Sequence, residues 1–372
     1  MFKSKSEDIV KRLLDIAGIE VNGSNPWDIQ VHDKRVYDRV MAQANLGLGE
    51  SYMEGWWECD QLDEFFFRVL SAKLGSKISP MGLIGHFIRS RLVNRQTPKR
   101  AWQVGKEHYD LSNEFYEAML DSRMTYTCGY WQEAETLEQA QEHKLELICQ
   151  KMKLKPGMRV LDIGCGWGSF MSYATKHYDV KCVGVTISKE QVAWAKERYQ
   201  DLDMDFRLQD YREVDETFDR IVSVGMFEHV GGKNYESFFE VAEKCLEEDG
   251  LMLLHTIGKN LTGTTPDPWI DRYIFPNGEL PSMEQITKAS ETHFVVEDVH
   301  NFGADYDKTL MAWHDNFAEN WPQFKDELGN TFERMWRYYL LSCAGAFRAR
   351  DIQLWQWVFS KNGLRGGYRR VS

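Results

Sequence analysis

From about residue 150 onward, short apolar runs alternate with segments whose apolar positions recur at helical spacing. The runs 160–163, 181–185, 204–208, 221–224 and 251–255 read as strands, with 294–299 and 354–359 as a sixth and a seventh. Between them Ser188 is placed to cap a helix over 189–199, and Phe332 to Phe347 reads as a long, largely apolar helix. Strands that alternate with helices predict a parallel sheet covered by crossover helices. Ahead of this region the period changes. Ile9, Leu13, Leu14, Ile16 and Ala17 mark one helical face that ends at Gly18, and 46–59 is punctuated by glycine and rich in aromatics. The pattern divides the chain into a small, mostly helical unit over 1–75, a connector over 76–100 and an α/β domain over 101–372.

Composition narrows the setting. The 372 residues exceed one average domain, and 43% hydrophobic residues support a globular core. The start, Met1 to Glu7, has no apolar signal region, and no run approaches the length of a membrane span. The seven cysteines are scattered and none is paired at CxxC spacing, so neither a disulfide scaffold nor a metal site is expected, and a reducing cytoplasm fits. The net charge of −12 is unevenly spread. Phe65 to Lys106 holds nine basic residues and no acid, leaving −21 on the rest. Such a block attracts an anionic lipid surface or nucleic acid, or it docks on acidic neighbours. Within it Leu83, Ile84, Phe87 and Ile88 form an apolar stripe of about two turns, interrupted by Arg91.

The chemistry concentrates at strand ends. Val160-Leu161-Asp162-Ile163 runs into Gly164-Cys165-Gly166-Trp167-Gly168, an abrupt strand-to-helix turn that suits a nucleotide-like ligand. A dinucleotide cradle needs its third small residue three positions after the second glycine, where this chain has Ser169, so a pyrophosphate is disfavoured. The second strand ends in Thr186 rather than the acid that usually meets ribose hydroxyls, and Gln191 can supply that contact. Gln209, Asp210 and Tyr211 follow the third strand. Asp210 can accept from an adenine amino group, and Tyr211 either stacks on the base or serves the turn. Glu228-His229 follows the fourth strand and His255 closes the fifth, which brings proton-handling groups to adjacent strand ends.

The glycine turn, with Asp162 two residues before Gly164, resembles the first motif of S-adenosylmethionine-dependent methyltransferases. The resemblance sharpens over nearly the whole chain. Gly47 to Met53, Val104 to Leu111, Tyr126 to Trp131, Gly184 to Ser188, Met226 to Gly231, Asn301 to Tyr306 and Ala344 to Arg348 together resemble the cyclopropane fatty acid synthase family, related to the mycolic acid cyclopropane synthases. That resemblance implies a Rossmann-like methyltransferase fold, a seven-stranded, mostly parallel sheet with a small helical N-terminal domain that meets lipid. It implies S-adenosyl-L-methionine held by Asp162, Gly164, Gly166, Gly168, Thr186, Gln191, Gln209, Asp210 and Tyr211, with Tyr126 and Thr127; relatives usually have Ser where this chain has Thr127. It also implies bicarbonate as a base, held by Glu228, His255, Tyr306 and the backbone of Cys128 and Ile257. The Cys128 thiol as a nucleophile is an alternative that the chemistry does not need.

The implied reaction adds a methylene to the cis double bond of unsaturated phospholipid acyl chains. A carbocation forms and loses a proton so that the ring closes. The expected partners are an anionic bilayer surface at the inner face of the membrane, where a cytoplasmic enzyme would bind peripherally, and a second copy of the chain. No nucleic acid is expected. Two other readings remain: a methyltransferase that leaves a methyl branch, and a non-enzymatic lipid-surface sensor of the cofactor.

Overall fold

The computed structural model describes residues 2–73, 111–263 and 266–371. Most of the basic block, its apolar stripe and the 76–100 connector lie outside these residues. The described chain forms two compact units. One combines 2–73, 266–276 and Tyr306–Ile352; the other combines 111–263, Asn277–Asp305 and the stretch from Gln353 to residue 371. The linear division at residue 75 therefore marks only the first of three stretches that build the helical unit. Periodicity gave Phe332–Phe347 an apolar face but not the partner for it.

In the helical unit, α1 (Phe2–Ile16) packs on α2 (Arg35–Met53), and α3 (Leu62–Ser71) packs on α12 (Lys325–Arg348). A two-stranded ribbon, β1 (Gln30–Val31) with β2 (Trp57–Glu58), joins them. Its centre is aromatic. Trp57 and Tyr338 both pack on Tyr52, with ring centroids 5.1 and 5.5 Å away, and Trp269 lies 4.4 Å from Tyr338. Gly345 lets α12 lie against α3: a Cβ there would come within 2.5 Å of the Asp63 carbonyl. The unit also holds the short helix α9 (Pro268–Tyr273) and most of α11 (Ala304–Asn320).

The second unit is built on β3 (Arg159–Ile163), β4 (Lys181–Thr186), β5 (Met204–Leu208), β6 (Phe218–Val224), β7 (Leu246–Lys259), β8 (Val295–Asn301) and β9 (Ile352–Ser360). Their order across the sheet is β5-β4-β3-β6-β7-β9-β8. The pairings of β3 with β4 and β6, of β4 with β5 and of β6 with β7 are parallel, and β8 pairs antiparallel with β9. Alternate strand residues go to opposite faces. Leu161, Ile163, Val183, Val185 and Ile221 join a core with Phe238 and Phe239 of α8 (Tyr235–Cys245). Val160, Cys182, Val222 and Leu253 join another with Ile148 of α5 (Leu137–Lys151) and Phe170 of α6 (Ser169–Tyr178). A sheet buried on both faces explains the near-continuous apolar runs. The unit is completed by α4 (Asn113–Met119), α7 (Lys189–Arg198) and α10 (Met283–Ser290). All seven expected strands and the α/β layering are present, as is the mostly helical character of the N-terminal stretch.

All seven cysteines are free. Among the described residues no cluster of His, Cys, Asp and Glu could hold a metal ion, and no helix is long and apolar enough to cross a membrane.

Candidate functional site

The strand β3 ends at Ile163, and the next five residues turn the chain into α6. Gly164, Gly166 and Gly168 have φ of +83°, +54° and +84°, a region that favours glycine. Their surroundings differ. A Cβ at Gly164 would come within 2.6 Å of the Met226 side chain, and one at Gly168 would meet the Phe206 ring at 2.6 Å, whereas a Cβ at Gly166 would enter open space. Gly164 and Gly168 are required by packing; Gly166 keeps backbone bare beside a cavity.

That cavity, about 130 Å³, lies at the carboxyl ends of the central parallel strands, where open α/β sheets bind ligands. Gly164 and Gly166 line it after β3, Thr186 and Gln191 after β4, and Gln209, Asp210 and Tyr211 after β5. Gly225, Met226 and His229 line it after β6. Thr186 Oγ1 donates to Gln191 Oε1 at 2.9 Å and accepts from the Ser188 N–H at 3.2 Å. With Oε1 so engaged, Nε2 is the Gln191 group left for a ligand. Ser188 caps α7, as its sequence position suggested.

Asp210 is more committed than the sequence implied. Arg212 binds both its carboxylate oxygens, at 2.8 and 2.5 Å, and burial's upward push on its pKa is outweighed by that pairing, which holds it below the usual carboxylate range. Only its remaining lone pairs can meet a ligand. Tyr211 faces the cavity with its ring packed on Phe238 at 5.5 Å.

Asp162 does not line the cavity; it is buried behind the glycine turn. Its Oδ1 has no hydrogen-bond partner, and burial pushes its pKa up to about 7. Lys144, on α5, is also buried; desolvation pushes it down to about 8, and its Nζ donates to Thr127 Oγ1 at 2.8 Å. Thr127 abuts the next turn, since a Cβ on Gly225 would fall 2.5 Å from its methyl. Tyr126 stacks edge-on with Tyr116, which in turn packs on Trp167 of the glycine turn at 5.0 Å. The loop before α5 is thereby tied to both the first and the fourth strand ends.

The second group of residues surrounds β6 and β7. Val224 is paired with His255, and the Gly225 N–H donates to the His255 carbonyl at 2.9 Å. Glu228 sits on the short turn Phe227–His229. Its Oε1 accepts from the Ile257 N–H at 2.6 Å, its Oε2 is buried without a partner, and burial pushes its pKa up to about 7. His255 is 1% exposed and held neutral by desolvation; its Nε2 is likewise buried without a partner. Cys128 is fully buried, with its thiol directed at the Gly129 carbonyl at 3.2 Å. Tyr306 belongs to the helical unit, where its ring packs on Phe347 at 4.5 Å and on Trp313 at 5.9 Å.

These observations fit the expected cofactor. The bare backbone at Gly166, the Gln191 Nε2 group and the Tyr211 ring around the cavity suit a nucleotide-like ligand, and the unpartnered Asp162 oxygen behind the turn is an acceptor that the fold leaves unused. A near-neutral Glu228 and a neutral His255 can each present one hydrogen to an anion such as bicarbonate. Sequence reasoning missed Lys144, Lys151, Gln356 and Arg212. The only signal for the lysines was their place among apolar positions of one helix; Arg212 had its spacing from Asp210.

Comparison with known proteins agrees with this geometry. A family described as mycolic acid cyclopropane synthetase matches residues 96–357. The chain is 56% identical over 365 residues to the cyclopropane-fatty-acyl-phospholipid synthase of Escherichia coli strain K12, covering 96% of this chain and 94% of that protein. Among solved structures, the cyclopropane synthase MmaA2 from Mycobacterium tuberculosis is similar, with a TM-score of 0.66, 35% identity, and 72% of this chain and all of that one covered. The mycolic acid cyclopropane synthase CmaA1, solved with S-adenosylhomocysteine and CTAB, also matches at a TM-score of 0.66 and 34% identity, covering 70% of this chain and 98% of that one.

Proposed function

The chain belongs to the mycolic acid cyclopropane synthetase family, and on that premise we propose that it converts cis double bonds of phospholipid acyl chains into cyclopropanes with S-adenosylmethionine as donor. The observation that carries the reading is the pair of unpartnered buried atoms, Glu228 Oε2 on the turn after β6 and His255 Nε2 within β7 opposite the last residue of β6; neither residue lines the cavity, but Gly225, Met226 and His229 of the same turn do. A simple methyl transfer to a nucleophile with no proton to lose, such as a thiolate or a tertiary amine, needs no such pair. A reaction that must hold an anion and move a proton in a dry site does.

When bound, S-adenosylmethionine supplies an electrophilic methyl and bicarbonate a proton acceptor. Asp162, the glycine turn, Thr186 and Gln191 would hold the donor, with Gln209, Asp210 and Tyr211 at its base, and Tyr126 and Thr127 along its length. Glu228, protonated near neutral pH by its burial, would donate from Oε2 while the Ile257 N–H holds Oε1. His255 would donate from its ring, and Tyr306 and the Cys128 backbone would complete the anion's partners. The acyl double bond gains the methyl carbon and becomes a cation; a proton then leaves that carbon and the ring closes. Exclusion of water keeps the cation from being trapped as an alcohol. The basic block would hold the enzyme to the anionic inner face of a membrane, and a paired chain would present two such blocks.

Incubation with unsaturated phospholipid vesicles and S-adenosylmethionine tests this. Acyl chains should gain one CH2 per double bond, with S-adenosylhomocysteine as co-product, and product NMR should show a ring rather than a branch. No mass gain from protein that binds the cofactor would overturn the proposal. Anionic vesicles should bind more of the protein than neutral ones, and salt should weaken the difference; equal binding at low salt would remove the electrostatic part.

A further inference from the structure

Behind His255 runs a buried chain of polar groups that the reaction described above does not use. Lys151, the last residue of α5, is 0% exposed. Its Nζ lies 2.8 Å from Gln356 Oε1 and 2.9 Å from His300 Nδ1. Gln356, in the middle of β9, is also fully buried, and its Nε2 lies 3.2 Å from His255 Nδ1. On either side β9 carries Trp355 and Trp357, packed into the apolar core. Packing alone has no use for a lysine and a glutamine here, since burying them costs free energy that an apolar pair would not.

The direction of each bond follows from which groups can donate. The Lys151 ammonium can only donate and the amide Oε1 can only accept, so the charged lysine fixes which way the Gln356 amide faces. Its NH2 is then turned to His255, where it can only donate. Nδ1 must therefore be the acceptor and carry no proton. A neutral imidazole has one N–H, which leaves the proton on Nε2. That is the atom buried without a partner.

We infer that Lys151 and Gln356 are positioning residues that lock His255 as its Nε2–H tautomer, so that the ring offers a donor to the anion in the site. The inference rests on the proposed function for its consequence, because a ring lone pair in that place would repel an anion and an N–H holds one. The relay reaches further: His300, held by the same ammonium, packs with Phe302 at 5.2 Å, and Phe302 lies edge-on to His255 at 5.9 Å. The ring is thus fixed in orientation by apolar contact and in tautomer by hydrogen bonding.

The test is a long-range proton–nitrogen correlation spectrum of the full chain labelled with nitrogen-15 histidine. His255 is assigned by the signal lost in His255→Asn. Its Nε2 should show the shift of a protonated ring nitrogen and its Nδ1 that of a bare one. Gln356→Glu keeps the partner for Lys151 but turns the donor into an acceptor. In that variant the proton should move to Nδ1, and kcat should fall about a hundredfold or more while the KM for S-adenosylmethionine stays near the wild-type value. Lys151→Met frees the amide to turn and should give a mixture of tautomers. A wild-type His255 protonated on Nδ1 would overturn the inference, as would Gln356→Glu with an unmoved proton or with wild-type kcat. If the tautomer is as stated but unsaturated lipid is never modified, the lock stands and the proposed reaction fails. Should Gln356→Glu not fold, the wild-type spectrum and Lys151→Met still decide.

Discussion

The ionisable side chains that tie the helical unit together and those around the candidate site of the α/β unit are satisfied in opposite ways. In the helical unit, Arg348 binds Asp307 through two nitrogens, at 2.9 and 3.0 Å, and Asp63 at 2.7 Å. Glu50 accepts from Arg39 and Arg272, both at 2.6 Å, and from Tyr273 at 2.9 Å. Asp267 caps α9 through the Trp269 and Ile270 N–H groups and takes a further bond from Asn45. In the α/β unit Asp162, Glu228 and His255 each keep a buried polar atom with no partner. A buried charge with all its bonds made holds a fold together, whereas one with a bond missing carries a desolvation penalty that the fold does not recover. The difference separates side chains that serve structure from those kept ready for a ligand, and substitutions should separate them too.

The largest expected effect is on Glu228. Glu228→Gln keeps the shape, the acceptor for the Ile257 N–H and an N–H in place of the Oε2 hydrogen, but removes the proton that Oε2 can pass to the bound anion. Turnover on unsaturated phospholipid should fall about a thousandfold, the scale of a lost acid–base group. Its thermal stability should not fall, because no made bond is lost. A variant that unfolds early but turns over normally once folded would put Glu228 with Arg348 and break the comparison.

The same residue should make stability depend on pH. Burial raises its pKa from the ordinary 4.5 to about 7 in the folded chain. The protonated acid therefore favours folding: that contribution is full below about pH 4.5 and is lost as pH rises through about 7. The loss is up to about 3 kcal/mol. Asp162, raised from 3.8 to about 7 by the same cause, adds a loss of the same sign. Urea unfolding of the cofactor-free protein should show wild type weaker on the alkaline side, and Glu228→Gln should flatten part of that slope. Identical slopes in the two proteins would mean that Glu228 is solvated.

Arg348→Met tests the other side. Asp63 and Asp307 would lose their shared cation while partly buried, at a cost of about 2 kcal/mol, below the range for fully buried pairs because the guanidinium is 27% exposed. Denaturant unfolding should show it, and titration of the folded variant should give wild-type cofactor affinity. A loss of cofactor affinity equal to that of a cavity substitution would show that the paired charges are not purely structural.

The sheet and the glycine turn were legible because their signals are local. Alternating burial on two faces leaves apolar runs such as Val160–Ile163, and a turn with three positive-φ glycines leaves few residue choices. Glu228 was legible through its position after β6; His255 was read as closing its strand, whereas β7 runs on to Lys259 and His255 lies inside it, opposite Val224. What stayed hidden depends on pairing across the chain. Gln356 is the polar residue among apolar ones in β9, and nothing local says that Lys151, some two hundred residues earlier, turns its amide. Lys144 and Lys151 are seven apart on one helix, a spacing that reads as a solvated stripe until both are found buried. Asp210 looked available because its two-residue spacing from Arg212 does not say that the guanidinium folds back onto its carboxylate. The helix over 325–348 showed an apolar face, but periodicity does not tell that its partners are α2 and α3.

The smallest effect belongs to Thr186, which sharpens the comparison from within the α/β unit. Its hydroxyl makes two bonds, to Gln191 Oε1 and from the Ser188 N–H, so it resembles the paired groups of the helical unit while lining the cavity. Thr186→Val keeps the volume and strands both partners, though Gln191 can turn its amide and recover a bond to a ligand. The net penalty for one neutral hydrogen bond is about 1 kcal/mol. If it falls on the bound state, S-adenosylmethionine affinity drops about fivefold with kcat unchanged, because the hydroxyl holds a donor contact and touches no proton in transit. Calorimetric titration of the folded variant measures this directly. A loss approaching that of Glu228→Gln would mean that completeness of hydrogen bonding does not distinguish the positioning groups of this site from its reactive ones.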